Sequence, residues 1–192
     1  ACTLLPLWSL PAHAVSDVWV PIGSLQGSGE ISPKVGHAAM VEGVVTGSFS
    51  EGLGGFFLQD QGDGDPRTSD GLFVMPAEGS VLPAVQVGDR VRVSGLVTEK
   101  ADNRNGSLTA LRANHVEKTG RGEIAPLRLS GPPQDWEALE GMLVRIDAPL
   151  TLNSTDTRFG ETIASFDGRL WTPTELAVPG SPQIKQVEAD NA

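Results

Sequence analysis

Tyrosine is absent from this chain, and aromatic residues of all kinds make up only 5% of it. A surface that holds nucleic acid by stacking many bases needs more rings than that. Cysteine occurs once, at Cys2, so no disulfide can form within the chain. No Cys/His spacing suits a zinc site either. Basic residues are scarce: 14 Lys and Arg stand against 24 Asp and Glu, a net charge of −10. That balance argues against a strong, autonomous hold on DNA or RNA, because phosphate neutralisation supplies most non-specific affinity. The histidines His13, His37 and His115 are scattered. No glycine motif that cradles phosphate opens a helix, and no nucleophile motif marks a serine. The sequence points away from catalysis and towards a binding or scaffold module.

The N-terminal apolar run Thr3 to Leu10 is too short to cross a bilayer, and no membrane partner is expected. It is followed by Ala12-His13-Ala14, which has the small-x-small form of a signal-peptidase site. Residues 1–14 are therefore expected to be the remnant of a signal peptide, placing the protein outside the cell or in the periplasm. The alternatives are an ordinary apolar N-terminal strand or tail, or a lipoprotein box ending at Cys2.

What the chain has in quantity is glycine (23) and proline (14), with few helical periodicities. Short strands and many turns follow from that composition. Val15 to Ile22 reads as a lead-in strand and Gly23 to Gly36 as a linker, within which Gln26 and Ser28 are candidates for packing or binding. A first strand begins near Ala38, with Val41, Gly43 and Val45 on one face; glycines inside it suit strong coiling. Further strands are expected over Phe56 to Gln59, Leu72 to Met75, about Asp89 to Thr98, and about Leu108 to Glu117. Val91, Val93 and Val97 should point inward, and Arg90, Arg92 and Ser94 outward. Asn105-Gly106 signals a hairpin. The fold class is thus all-β: a five-stranded Greek-key barrel of the oligonucleotide-binding (OB) type over 37–120, with a β extension over 121–180. Pro76 to Gly88 is too short and proline-bearing for the usual barrel helix. In the extension, Asp135 to Glu140 reads as a helical turn, Met142 to Leu152 as one long strand, and Thr162 to Trp171 as another. The tail from Pro173, including 181–192, reads as an extended linker.

Two groups of residues are candidates for a site. Asp60, Asp63, Asp65 and Asp70 lie on a glycine-bearing loop and could share a Ca²⁺ ion, which takes many oxygen ligands at flexible angles. The spacing is not that of an EF-hand, and an Asx-turn connection is the alternative. Arg90, Arg92, Lys100, Arg104 and Arg112 fall on the fourth strand, the hairpin and the fifth strand, where barrels of this kind hold ligands. Phe57 and Phe73 could add stacking surface; alternation sends one of Phe56 and Phe57 to the core.

Several segments together carry a likeness. They are Val41-Glu-Gly-Val-Val-Thr-Gly47, Gly54-Gly-Phe-Phe-Leu-Gln-Asp60, Gly62-Asp-Gly-Asp-Pro66, Thr68-Ser-Asp-Gly-Leu-Phe-Val74 and Val87-Gly-Asp-Arg-Val-Arg-Val93. This set resembles the barrel domain of secreted bacterial nucleases, where it precedes a catalytic domain of the endonuclease/exonuclease/phosphatase type. Leu139 to Val144, Phe159 to Glu161 and Gly168 to Thr174 look like that family's segment between barrel and catalytic domain. The resemblance covers most of Ile22 to Gly180. It implies an accessory module that engages DNA or RNA weakly, with a downstream nuclease domain as its partner. The family's Mg²⁺-type chemistry belongs to that later domain, so these residues are expected to have no enzymatic activity. A structural spacer that packs on the nuclease domain, without a ligand, is the other reading.

Overall fold

A computed structural model describes residues 19–101, 106–156 and 160–191. The described chain divides into two units, one of 19–127 with 135–144 and one of 128–134 with 145–191.

The first unit is built by alternation of β-branched and small residues. Its strands are β1 (Ala38–Phe49), β2 (Gly55–Gln59), β3 (Gly71–Pro76), β4 (Asp89–Ala101) and β5 (Ser107–Arg121). They form a five-stranded mixed sheet in the order β1-β2-β3-β5-β4. The two ends of that order pair with each other, Val41 opposite Val93 and Gly43 opposite Val91, so the hydrogen-bonded circuit closes. The β3–β5 pair is parallel, with Val74 opposite Leu111; the neighbouring pairs are antiparallel. Val41, Val45, Phe56, Leu58, Leu72, Val74, Val91, Val93, Val97 and Leu111 fill the interior. A circuit of so few strands closes only if they coil strongly. Register shifts at Val45/Gly47 and Ser94/Gly95 supply the bends. Gly95 is required by contact as well, since a Cβ there would overlap the Arg112 carbonyl.

The N-terminal segment departs from expectation. Of the lead-in strand expected over Val15 to Ile22, the described residues 19–22 form no strand, and Gly23 to Gln26 is no linker; Ile22–Gln26 is a short helix, α1. Its Ile22 and Leu25 join the core, and the Asp60 carboxylate accepts the Ile22 N–H at 2.8 Å. A helix of five residues cannot persist on propensity, so burial and this cap hold it. As expected, the connection from Ala77 to Gly88 carries no helix; Leu82 and Val85 from it pack on the core instead.

Residues 135–144 also belong to this unit rather than to an extension. They form a strap with a single 3₁₀ turn at Glu137–Leu139. Four buried polar residues of the barrel serve it. Ser69 donates to the Glu140 carbonyl, Gln59 accepts the Leu143 N–H, Gln26 reaches the Glu140 carboxylate, and Thr109 donates its N–H to that same carboxylate. Gly71 lets the strap approach: a Cβ there would overlap the Gly141 carbonyl group.

The chain crosses between units within β6 (Leu127–Leu129) and β7 (Val144–Ile146). The second unit holds the hairpin of β8 (Thr151–Asp156) and β9 (Glu161–Ser165), then α2 (Pro173–Leu176) and α3 (Pro182–Asp190). The long strand expected over Met142 to Leu152 is split in two, with Pro149 in the gap. Asp147, just after β7, binds Arg128 at 2.5 Å and Arg145 at 2.8 Å. The tail is helical rather than extended. Thr172 and Glu175 form a capping box with Pro173 in the first turn, and Pro182 follows Ser181 at the start of α3. Leu152 and Ile163 of the hairpin remain 70% and 53% exposed, so this unit buries little apolar surface. No helix among the described residues is long and apolar enough to cross a membrane.

Candidate nucleic-acid interface

Period-two alternation decides which rings reach the surface of the first unit. Phe56 and Leu58 point into the core, so Phe57 between them points out. Its cross-strand neighbour is Phe73 on β3, and the two ring centroids lie 5.0 Å apart. Phe49, at the end of β1, meets Phe57 edge-on at 5.8 Å. Gly47 makes room for this: a Cβ there would come within 2.6 Å of the Phe49 ring. Lys100 on β4 places its Nζ 5.2 Å from the centre of the Phe73 ring, the geometry of a cation–π contact. The result is a row, Phe49–Phe57–Phe73–Lys100, across the outer surface.

The members differ in availability. Phe49 is 49% exposed and Phe57 half-buried, but Phe73 is 0% exposed. Phe73 therefore cannot stack on a base as expected; Phe57 and Lys100 cover it, and it serves as the floor beneath them. Arg112 is exposed on β5, opposite Leu96 on the Lys100 side of the Ser94/Gly95 bulge.

The other expected cations are elsewhere on β4 and already engaged. Glu42 on β1 lies opposite Arg92 and binds it at 2.6 Å, with Arg90 at 3.6 Å. The Arg92 guanidinium also lies 5.2 Å over the Trp19 ring. The hydrogen bond to Glu42, then its charge, raises the Arg92 pKa above its usual value. Two half-exposed guanidiniums share one carboxylate, so this pair offers a phosphate less net charge than two unpaired arginines would. Arg104 lies outside the described residues. Residues not anticipated from the sequence are Phe49, Glu42 and Trp19. Phe49 could have been found from its place two residues beyond a strand glycine; the Glu42 pairing depends on the register between β1 and β4.

The Asp loop is organised by its own hydrogen bonds. Asp60 Oδ1 accepts the Gly62 N–H, Asp63 Oδ1 the Asp65 N–H, and Asp65 Oδ1 the Arg67 N–H, a run of Asx turns. Arg67 grips Asp65 through its side chain at 2.7 Å and holds that carboxyl down at about 2. Burial, then the charges of Asp60 and Asp63, push the Asp70 carboxyl upward. Among the described residues no three His, Cys, Asp or Glu side chains converge to hold a metal ion.

No protein-family model matches the chain, and no curated protein matches it.

Proposed function

We propose that the first unit is an OB-type barrel that binds single-stranded DNA or RNA weakly, as a non-catalytic accessory module of an exported nuclease. The reading rests on one observation: Phe49 and Phe57 present ring surface beside Lys100 on the outer side of a closed five-strand circuit. Rings give sequence-tolerant stacking and the ammonium a phosphate contact. The order β1-β2-β3-β5-β4, with its parallel β3–β5 pair, supports the OB assignment. The Ala12-His13-Ala14 site supports export, and the resemblance of 139–180 to an inter-domain segment supports a nuclease domain as partner.

With Lys100 and Arg112 the cations on this face among the described residues that no carboxylate engages, affinity should be modest, about 10⁻⁴ to 10⁻⁶ M at physiological salt, with a logarithmic salt slope near −1.4 for two contacts at about 0.7 each. Titration of a fluorescent single-stranded oligonucleotide tests this. Lys100→Ala should flatten the slope by about 0.7 while Arg92→Ala leaves it unchanged. Absence of binding to single or double strands at low salt, with and without Ca²⁺, would refute it.

The second reading, a spacer with no ligand, draws on the engagement of Arg90 and Arg92 by Glu42 and on the covered Phe73. It predicts no affinity in the same titration and tight docking of a separately made catalytic domain.

A further inference from the structure

Glu140 is the most enclosed carboxyl group of the strap, and barrel nucleic-acid binding does not require it. Its Oε1 accepts the Thr109 N–H at 2.9 Å and the Gln26 amide at 3.2 Å. Both donors are neutral. Gln26 also donates to the Gly71 carbonyl at 2.6 Å, so one side chain joins α1, β3 and the strap. The charges acting on Glu140 are the carboxylates of Glu137 in the 3₁₀ turn and Glu99 on β4. Glu99 shares Thr109 with it, accepting the threonine hydroxyl at 3.1 Å while also accepting the Ser32 N–H at 2.9 Å. The second Glu99 oxygen is buried with no partner. Glu30, on the connector after α1, and Asp135 add further negative charge at Glu137. The elements packed here thus present Gln26, Ser32, Ser69, Thr109 and four more carboxylates, those of Glu30, Glu99, Asp135 and Glu137.

We propose that Glu140 is a proton-operated clasp: protonated, it closes the 135–144 strap onto the barrel, and ionised, it loosens the strap. An ionised carboxylate here would be partly desolvated, would face like charges, and would have only neutral donors in compensation. Burial first, then Glu137 and Glu99, outweigh the two hydrogen bonds and raise its pKa from 4.5 to about 7. The sign follows. The closed strap keeps a proton that the open strap gives up, so closure is fully favoured below about 4.5 and is lost as pH rises towards 7. Opening increases at most about tenfold per pH unit over that interval and levels off above it. Gly141 lies against Phe57, so an open strap changes the surroundings of that ring. That consequence rests on the proposed binding face; the clasp itself does not.

Hydrogen exchange on the whole chain, corrected for intrinsic rates, tests it without any ligand. Protection of the Leu143 and Thr109 amides should fall tenfold or more between pH 5 and pH 8, while that of Val93 in the core stays level. In Glu140→Gln, which keeps the accepting oxygen but cannot ionise, strap protection should be independent of pH. Glu99→Gln removes a repelling charge, so Glu140 in the closed strap should ionise at lower pH, and the loss of protection should level off at lower pH and be smaller in total. Unchanged wild-type protection from pH 5 to 8, or an equal loss in Glu140→Gln, overturns the clasp. If Glu140→Gln does not fold, an unshifted profile in Glu99→Gln overturns it instead.

Discussion

Replacing Phe57 by leucine separates stacking from packing at the proposed face. Leucine keeps an apolar side chain over Phe73 and so leaves the floor covered. It removes a ring that touches both Phe49, at 5.8 Å, and Phe73, at 5.0 Å. Ring pairs of this kind are worth about 0.5–1.5 kcal/mol each beyond their buried area, and Phe57 is half-buried, so stability should fall by about 1–2 kcal/mol. Binding should suffer more in proportion. Loss of one stacked base costs about 1–3 kcal/mol, roughly a 5- to 150-fold rise in Kd. Fluorescence anisotropy with a labelled oligonucleotide, run beside a thermal melt of the same sample, reads both quantities. The salt slope should not change, because no cation is lost. A folded Phe57→Leu protein that binds within twofold of the parent would refute the stacking argument, whatever its melting temperature.

The other expectations concern the barrel itself. Leu58→Ala opens a cavity at a fully buried core position and should cost about 2–5 kcal/mol in a denaturant titration. Asp89, at the start of β4, is held at about 2 by Lys118, the Gln86 N–H and Arg121. Its contribution is therefore present above about pH 4 and lost as pH falls through about 2. Asp89→Asn should lower the melting temperature at pH 7 and make it less steep between pH 4 and pH 2. The Lys100→Ala, Arg92→Ala and Glu140→Gln experiments complete the set.

The barrel strands were legible because each is half-buried, and burial on one face imposes a period of two on the residues themselves. Val91, Val93 and Val97 announce an inward face, and the same alternation places Phe57 outside. The helices were harder. α1 is too short for a period to register, and its apolar Ile22 and Leu25 become helical only when packed on the barrel. The tail helices did leave a signal, in Thr172-Pro-Thr-Glu175 and Ser181-Pro182, which specify helix starts locally. The pairing of Arg90 and Arg92 with Glu42 was hidden for a different reason. Alternation correctly turns Arg90 and Arg92 outward, but whether an outward cation is free depends on its neighbour across the sheet.

Local order in this protein, then, comes from the chain alone: where strands run, where they turn, and which side of each is apolar. Those properties depend on residues a few positions apart. The tertiary structure alone decides that Glu42 pairs with two arginines 48 and 50 positions away, and that Gln26 and Glu140 meet across 114 residues. Such contacts form only when the circuit of strands closes, because closure, not local propensity, brings distant polar groups within hydrogen-bonding range.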